Sequence, residues 1–255
     1  MTLSRRAVFV AASGMVFCGC AGGAPNAREA PSAKRTPELV EAPFFQARGS
    51  RRIAITVDDG YDAGTLAAYV ALCEETGIHL TFCPVGSMSR NWEPVASRIS
   101  SLVERRQVQI VNHTFSHQDQ TTLTADQVHE DLGRNDEWIT ATFGTDARPY
   151  WRPPYGAYDL RTQQIAADLG YTRTLLWGSS FEDSALLTRH ELMKAARAAL
   201  YPGVVVLAHA NHPTVTTLYP RITALIRQRR LDPSTVDELF GSSPPPAAGS
   251  SGSQT

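Results

Sequence analysis

The chain has 255 residues, 42% hydrophobic and 19% charged, which excludes wholesale disorder and supplies one large core or at most two small ones. Lys+Arg number 24 against 25 Asp+Glu, a balance that leaves no electrostatic footprint for nucleic acid. Four cysteines are too few for a disulfide-built scaffold.

Residues 1–20 read as an export signal. Arg5 and Arg6 precede Ala7–Phe17, an uncharged and mostly apolar run of 11 residues. A membrane span wants roughly 18 or more, so this is a signal core rather than an anchor helix. Ser4-Arg5-Arg6-Ala7-Val8-Phe9 resembles a twin-arginine signal, and Phe17-Cys18-Gly19-Cys20 resembles a lipoprotein cleavage box with Cys20 lipidated. Simple secretion after cleavage is the other reading. A lipid on Cys20 would be the one contact with a membrane, and the chain belongs outside the cytoplasm, in the envelope or secreted. Residues 21–49 read as a flexible tether, 50–240 as the folded unit, and 241–255 (GSSPPPAAGSSGSQT) as a disordered tail. Cys73 and Cys83 stand within the folded unit; a disulfide and two buried thiols are both open.

Arg52–Val57 predicts a strand that stops at Asp58-Asp59-Gly60. Leu66, Tyr69, Val70 and Cys73 mark one face of a helix over Ala63–Glu75, with Gly77 just past its end. A strand at His79–Cys83, a helix at Pro94–Arg106 and a strand at Val108–Val111 follow. Thr124 and Gln127 make a capping-box pattern before a helix running toward Phe143. Then come an extended Arg148–Trp151, a helix Leu160–Leu169 and a strand Thr172–Trp177. A second box at Thr188 and Glu191 opens a helix ending near Leu200. Val204–Leu207 predicts a strand buried on both faces, and Tyr219–Arg229 a last helix. This alternation predicts an α/β fold, an irregular (β/α) barrel of about seven strands, with a flat doubly wound sheet as the alternative.

Asp58-Asp59, His113, Arg152 and His209 each follow the C-terminal end of a predicted strand, the face of a barrel where catalytic loops gather. Adjacent carboxylates hint at a cation. His113 and His117 are spaced i, i+4; on one helical turn they would share a face and could grip one metal. Thr114 stands where a zinc-protease motif needs Glu, so that reading fails. Arg152-Pro153-Pro154-Tyr155-Gly156 is a rigid loop whose prolines fix the direction of the remaining N–H groups. His209 is read equally as a core histidine, and His212 is its rival.

In order, TVDDG (56–60), HTFSH (113–117), RPPYG (152–156), WGSSFED (177–183) and LAH (207–209) resemble the polysaccharide deacetylase family, the carbohydrate esterases of family four. The resemblance covers about Arg52–Phe240. It implies Asp59, His113 and His117 as ligands of one divalent metal, zinc favoured over iron(II). It implies Asp58 as the general base toward a metal-activated water, and His209 as the general acid. Tyr155 would supply an oxyanion N–H, Arg152 would orient Asp58, and Leu207 would line the acetyl pocket beside Trp177. Tyr61 stands where the family often has Pro and could offer a sugar-stacking surface.

The fourth motif departs from the family. Ser180 stands at its first aspartate, Asp183 matches the second, and Ser184 stands at its tryptophan. The expectation is that Asp183 supports His209 while Arg152 has a weaker or different partner. The implied activity is removal of acetyl groups from a cell-envelope glycan, with peptidoglycan or an N-acetylglucosamine polymer favoured. The alternatives are a small-amide hydrolase on the same barrel and a glycan-binding pseudoenzyme.

Overall fold

The computed structural model describes residues 43–47 and 49–241. The expectations for residues 1–20, the lipid on Cys20, residues 21–42 and residues 242–255 lie outside the described residues. No helix among the described residues is long and apolar enough to cross a membrane.

Strands and helices alternate: β1 (Arg52–Asp59), α1 (Ala63–Thr76), β2 (Leu80–Pro84), α2 (Ser89–Trp92), α3 (Ala96–Glu104), β3 (Val108–Ile110), α4 (Ala125–Phe143), β4 (Tyr150–Trp151) and α5 (Leu160–Asp168). They continue with β5 (Arg173–Thr174), β6 (Ser179–Ser180), α6 (Arg189–Ala199), β7 (Val205–His209), α7 (Tyr219–Gln228), β8 (Asp232–Pro233) and α8 (Val236–Phe240). Local chemistry sets many of these ends. Asp62 caps α1 through Thr65 N–H at 2.6 Å, and Gly77 ends it in the left-handed conformation. Full capping boxes open α4 at Thr124 and α6 at Thr188, as their sequences predict.

The main sheet is parallel in the order β3-β2-β1-β7-β6, with β8 beside β1, and β4 pairs with β5. A bridge between Asn112 and Trp151 carries the wall from β3 to β4. Residues 43–47 close it. Phe44 is bridged to Leu175 just past β5, and Gln46 to Val204 just ahead of β7. Phe44 N–H donates to Thr174 O at 2.9 Å, and Ala47 N–H to Gly203 O at 2.8 Å. The expected irregular barrel is present, and three of its staves, β4, β5 and β6, are only two residues long.

Three expectations change. Residues 43–47, assigned to the tether, are part of the barrel wall. Their main-chain pairing leaves no periodic signal in a stretch rich in Ala and Pro. The strand expected over Thr172–Trp177 shrinks to Arg173–Thr174, because the following residues turn to pair with Phe44 and then Val205. The helix expected over Pro94–Arg106 is a short 3-10 turn, Glu93–Val95, followed by α3.

Strand alternation divides the core. On β1, Ile53, Ile55 and Val57 join the large cluster under the helices. Ala54 instead joins Cys83, Val111, Tyr150, Leu175 and Val205, residues of six neighbouring staves, inside the barrel. Val236 and Leu239 of α8 seal the N-terminal end of that interior, with Phe44 packed against it. The Phe44 ring meets Phe240 at 5.0 Å and Tyr150 at 5.9 Å, both edge-on. Inward polar groups cap α8: Thr81 Oγ1 accepts from Val236 N–H at 3.1 Å and Gln109 Oε1 from Asp237 N–H at 2.9 Å. Cys73 and Cys83 are free, buried and in different clusters. Burial pushes the Cys73 thiol up to about 12.

Gly60 follows β1 at φ +101, and a Cβ there would lie 2.2 Å from Trp92 Nε1. That indole N–H donates to Asp59 O at 2.9 Å. Gly60→Ala is expected to cost about 2 kcal/mol or more, read by calorimetry as a fall of roughly 4–8 °C in Tm.

Candidate metal centre and catalytic cleft

Register brings the end of β1 between two neighbours: Asp58 lies opposite Cys83 of β2 and His209 of β7. Alternation turns Asp58 inward, onto Arg152 just past β4. The Arg152 side chain is fully buried. Its Nη1 donates to Asp58 Oδ1 at 3.0 Å and Oδ2 at 2.9 Å, and its Nη2 to Thr56 Oγ1 at 3.0 Å. Thr56 Oγ1 donates in turn to Val206 O at 3.0 Å. Arg152 Nε has no hydrogen-bond partner among the described residues. Ser180, where the family has an aspartate, bonds elsewhere: its Oγ accepts from Glu182 N–H at 2.8 Å.

Asp59, in the left-handed region at φ 70, carries the next carboxylate. Its Oδ1 lies 3.3 Å from His113 Nε2 and 3.2 Å from His117 Nε2, and the three donor atoms fall within 4.8 Å of one another. His113 Nδ1 is 2.8 Å from Arg152 O. A carbonyl can only accept, so Nδ1 carries a proton, and in the neutral ring the lone pair is on Nε2. Asn211 Nδ2 donates to Asp59 Oδ2 at 2.7 Å, which leaves Oδ1 buried without a hydrogen bond among the described residues. Burial alone would raise the Asp59 carboxyl; hydrogen bonds and charge from His113 and His117 in their protonated form outweigh it and hold it well below the usual carboxylate range. An orphaned carboxylate oxygen facing two imidazole nitrogens suits a divalent cation, and three such ligands leave positions open for other groups.

The His113–His117 segment is not the helical turn that its spacing suggests. Thr114 at φ 64 and His117 at φ 58 fold it back as a loop. The rings still meet, 4.9 Å apart and 81° to each other. The loop is held from two sides. Buried Asn112 accepts from Thr114 N–H and from Asn135 Nδ2, each at 2.9 Å. Asp131 of α4 accepts from Ser116 N–H at 2.9 Å, Ser116 Oγ at 3.0 Å and Gln120 Nε2 at 2.9 Å.

His209 Nδ1 lies 3.0 Å from Asp183 Oδ1, so Asp183 sits where sequence expects it. Burial would lower the His209 pKa. The Asp183 hydrogen bond and the charges of Asp58, Asp183 and Asp59 override this and raise it. These groups open on a cleft of about 620 Å³. Asp58, Asp59, His113, His117 and His209 line it, together with Tyr61, Tyr155, Trp177, Leu207, Glu182 and Asn211. Arg152 and Asp183 act from behind this lining, and His212 is not part of it.

Sequence reasoning missed Thr56, Asn112, Asp131, Asn135 and Asn211. One signal was available. Asn135 sits on the buried stripe of α4 with Val128, Leu132 and Ile139, and a polar side chain at a core position needs a partner. Nothing in the spacing of Asn211 marked it.

Residues 46–174 match the profile of the family described as polysaccharide deacetylase. The chain is 26% identical over 211 residues to the peptidoglycan-N-acetylmuramic acid deacetylase PdaA of Bacillus subtilis, covering 80% of this chain and 77% of that one. It is 25% identical over 219 residues to the peptidoglycan-N-acetylglucosamine deacetylase PgdA of Listeria monocytogenes, covering 85% of this chain but 43% of that longer one. The fold is similar to that of a CE4 family pseudoenzyme from Bacillus anthracis, with TM-score 0.69, 18% identity, and coverage of 80% of this chain and 69% of that one.

Asn211→Ala frees Asp59 Oδ2 and with it the rotation of the carboxylate. Zinc affinity, measured by titration against a competing chelator, is expected to fall about tenfold to a hundredfold with the apo Tm little changed.

Proposed function

This chain belongs to the polysaccharide deacetylase family, and from that premise we propose that it is a metal-dependent hydrolase removing N-acetyl groups from a glycan of the cell envelope. The observation that carries this reading is the convergence of Asp59, His113 and His117 on one point, flanked by Asp58 and His209 in an open cleft. Asp59, His113 and His117 would hold the ion, with zinc as our assignment. Bound there, zinc would act as a Lewis acid on the acetyl carbonyl and make water easier to deprotonate.

The protein's own groups do the rest. Asp58, aimed by two bonds from Arg152, takes the proton of the attacking water. Asp183 accepts from His209 Nδ1–H and stabilises the imidazolium, whose Nε2–H is the proton given to the departing nitrogen. Tyr155, at φ 59 after two prolines, presents its N–H to the developing oxyanion. Leu207 and Trp177 receive the acetyl methyl. Tyr61, half exposed at the rim, offers a face to a sugar. An export signal over residues 1–20 would deliver the protein to this substrate, and a lipid on Cys20 would be its attachment to the membrane.

A glycan-binding protein without turnover is the second reading. The unpartnered Arg152 Nε favours it, since the base is held by an incompletely paired guanidinium. Acetate release separates the two. Purified full chain with zinc is expected to release acetate from peptidoglycan or N-acetylglucosamine oligomers. Asp58→Asn should lower kcat by about a hundredfold to ten-thousandfold while zinc stays bound. Chelation should abolish release and added zinc restore it. No release from peptidoglycan, N-acetylglucosamine oligomers or acetylated xylan, with zinc bound, would overturn the proposal.

The raised pKa of His209 also sets a pH window. The acid form persists up to that pKa and is lost as pH rises through it. Asp183→Asn removes the stabilising charge, so the basic limb of the kcat/KM profile is expected to move to lower pH, with the acidic limb unmoved.

A further inference from the structure

Seven non-glycine residues among those described have left-handed backbone, and five of them build this cleft: Asp59, Thr114, His117, Tyr155 and Glu182. The other two, Arg106 and Arg230, lie just past helix ends. Backbone held in a sparsely populated region at a site points to function there. The first four already have duties in the metal loop or the catalytic constellation. Glu182, at φ 57, has none.

Its stem is fixed on both sides. Glu182 N–H is held by Ser180 Oγ at 2.8 Å, and the next residue, Asp183, is tied to His209 at 3.0 Å. The Glu182 side chain is exposed and lines the cleft. No hydrogen bond or ion pair engages its carboxylate among the described residues. The other carboxylates of the lining are committed, Asp58 to Arg152 and Asp59 to Asn211 and the imidazoles. No Lys or Arg lines the cleft. Glu182 is therefore the one uncommitted ionic side chain of this lining that a bound sugar would meet.

We propose that Glu182 is a specificity-determining residue that favours glycans whose sugars near the reacting acetyl group are neutral or carry an ammonium, and disfavours uronates. The proposal rests on the deacetylase reading and narrows its substrate class to N-acetylated hexosamine chains without carboxylates at that position. Hydrolysis adds water across the amide C–N bond, releasing acetate and an amine that takes up a proton. Each turnover thus turns a neutral neighbour into a cationic one, and Glu182 favours action on a chain already partly deacetylated.

Binding tests this without turnover. Zinc-loaded full chain is titrated with a glucosamine tetramer and with a galacturonate tetramer, neither of which carries an acetyl group. At low salt the glucosamine tetramer is expected to bind at least about tenfold more tightly. Glu182→Gln should shrink that ratio severalfold, and Glu182→Lys should invert it. About 0.5 M salt should collapse the wild-type preference, as screening requires. Glu182→Gly suits the left-handed backbone and should match Glu182→Gln, which excludes misfolding as the cause. An unchanged ratio in all three variants overturns the proposal. Acetate release from an N-acetylglucosamine tetramer is measured beside it; its absence would count against the deacetylase reading and leave the binding result standing.

Discussion

A guanidinium with no exposure to water must be neutralised where it lies, and the Arg152–Asp58 pair is the constraint around which this barrel is arranged. Arg152 binds with its main chain as well. Its N–H donates to Asn112 O, and its carbonyl accepts from His113 Nδ1, both at 2.8 Å. One residue thereby aims a carboxylate with its side chain and fixes the tautomer of an imidazole with its backbone. Removing one partner of such a buried pair costs about 3–5 kcal/mol, a large share of the roughly 5–15 kcal/mol that holds a domain together. The residues that organise the site therefore also bear on stability.

The barrel interior is graded along its axis. Its N-terminal end is filled by Ala54, Val205, Tyr150 and the seal of α8 and Phe44. On β1 the lining turns polar two residues past Ala54, with Thr56 and then Asp58, and β7 ends in His209 after Val205 and Leu207. The packed lower half gives the upper half a rigid floor and a low local dielectric, in which the Asp183–His209 contact is stronger than it would be in water. The left-handed residues of the His113–His117 loop are retained because Asn112, Asn135 and Asp131 hold them against relaxation.

Much of this was legible in the sequence, and the reason differs by residue. Strand β7 is an apolar run that ends at His209, and β1 is a β-rich run that stops at Asp58-Asp59, so in these two the strand and its polar end can be read together. The capping boxes of α4 and α6 use side chains and so are also written in the sequence. The stave at 43–47 works by main-chain pairing, which any sequence can make and none announces. The i, i+4 histidines were rightly brought together, but on a loop rather than a helix, because the side-chain oxygens that bend it belong to Asp131, far along the chain, and to Asn112, itself held by distant Asn135. Asn211 depends on where β7 ends relative to Asp59, a fact of register that no linear spacing contains.

The closure of the wall has a consequence for how the chain comes together. The first stave, Phe44–Ala47, finds its partners at Thr174–Leu176 and Gly203–Val205, and β1 finds β7 across a similar span. Contacts this distant in sequence are slow to form, because most of the intervening chain must be ordered before they exist. During synthesis β2 can pair with one edge of β1 early, but the other edge waits until the chain has reached β7, and the first stave waits for Thr174–Leu176 and then Gly203–Val205. The earliest part of the wall is thus the last to be locked, and until then the open strand edges are exposed to pairing with another copy.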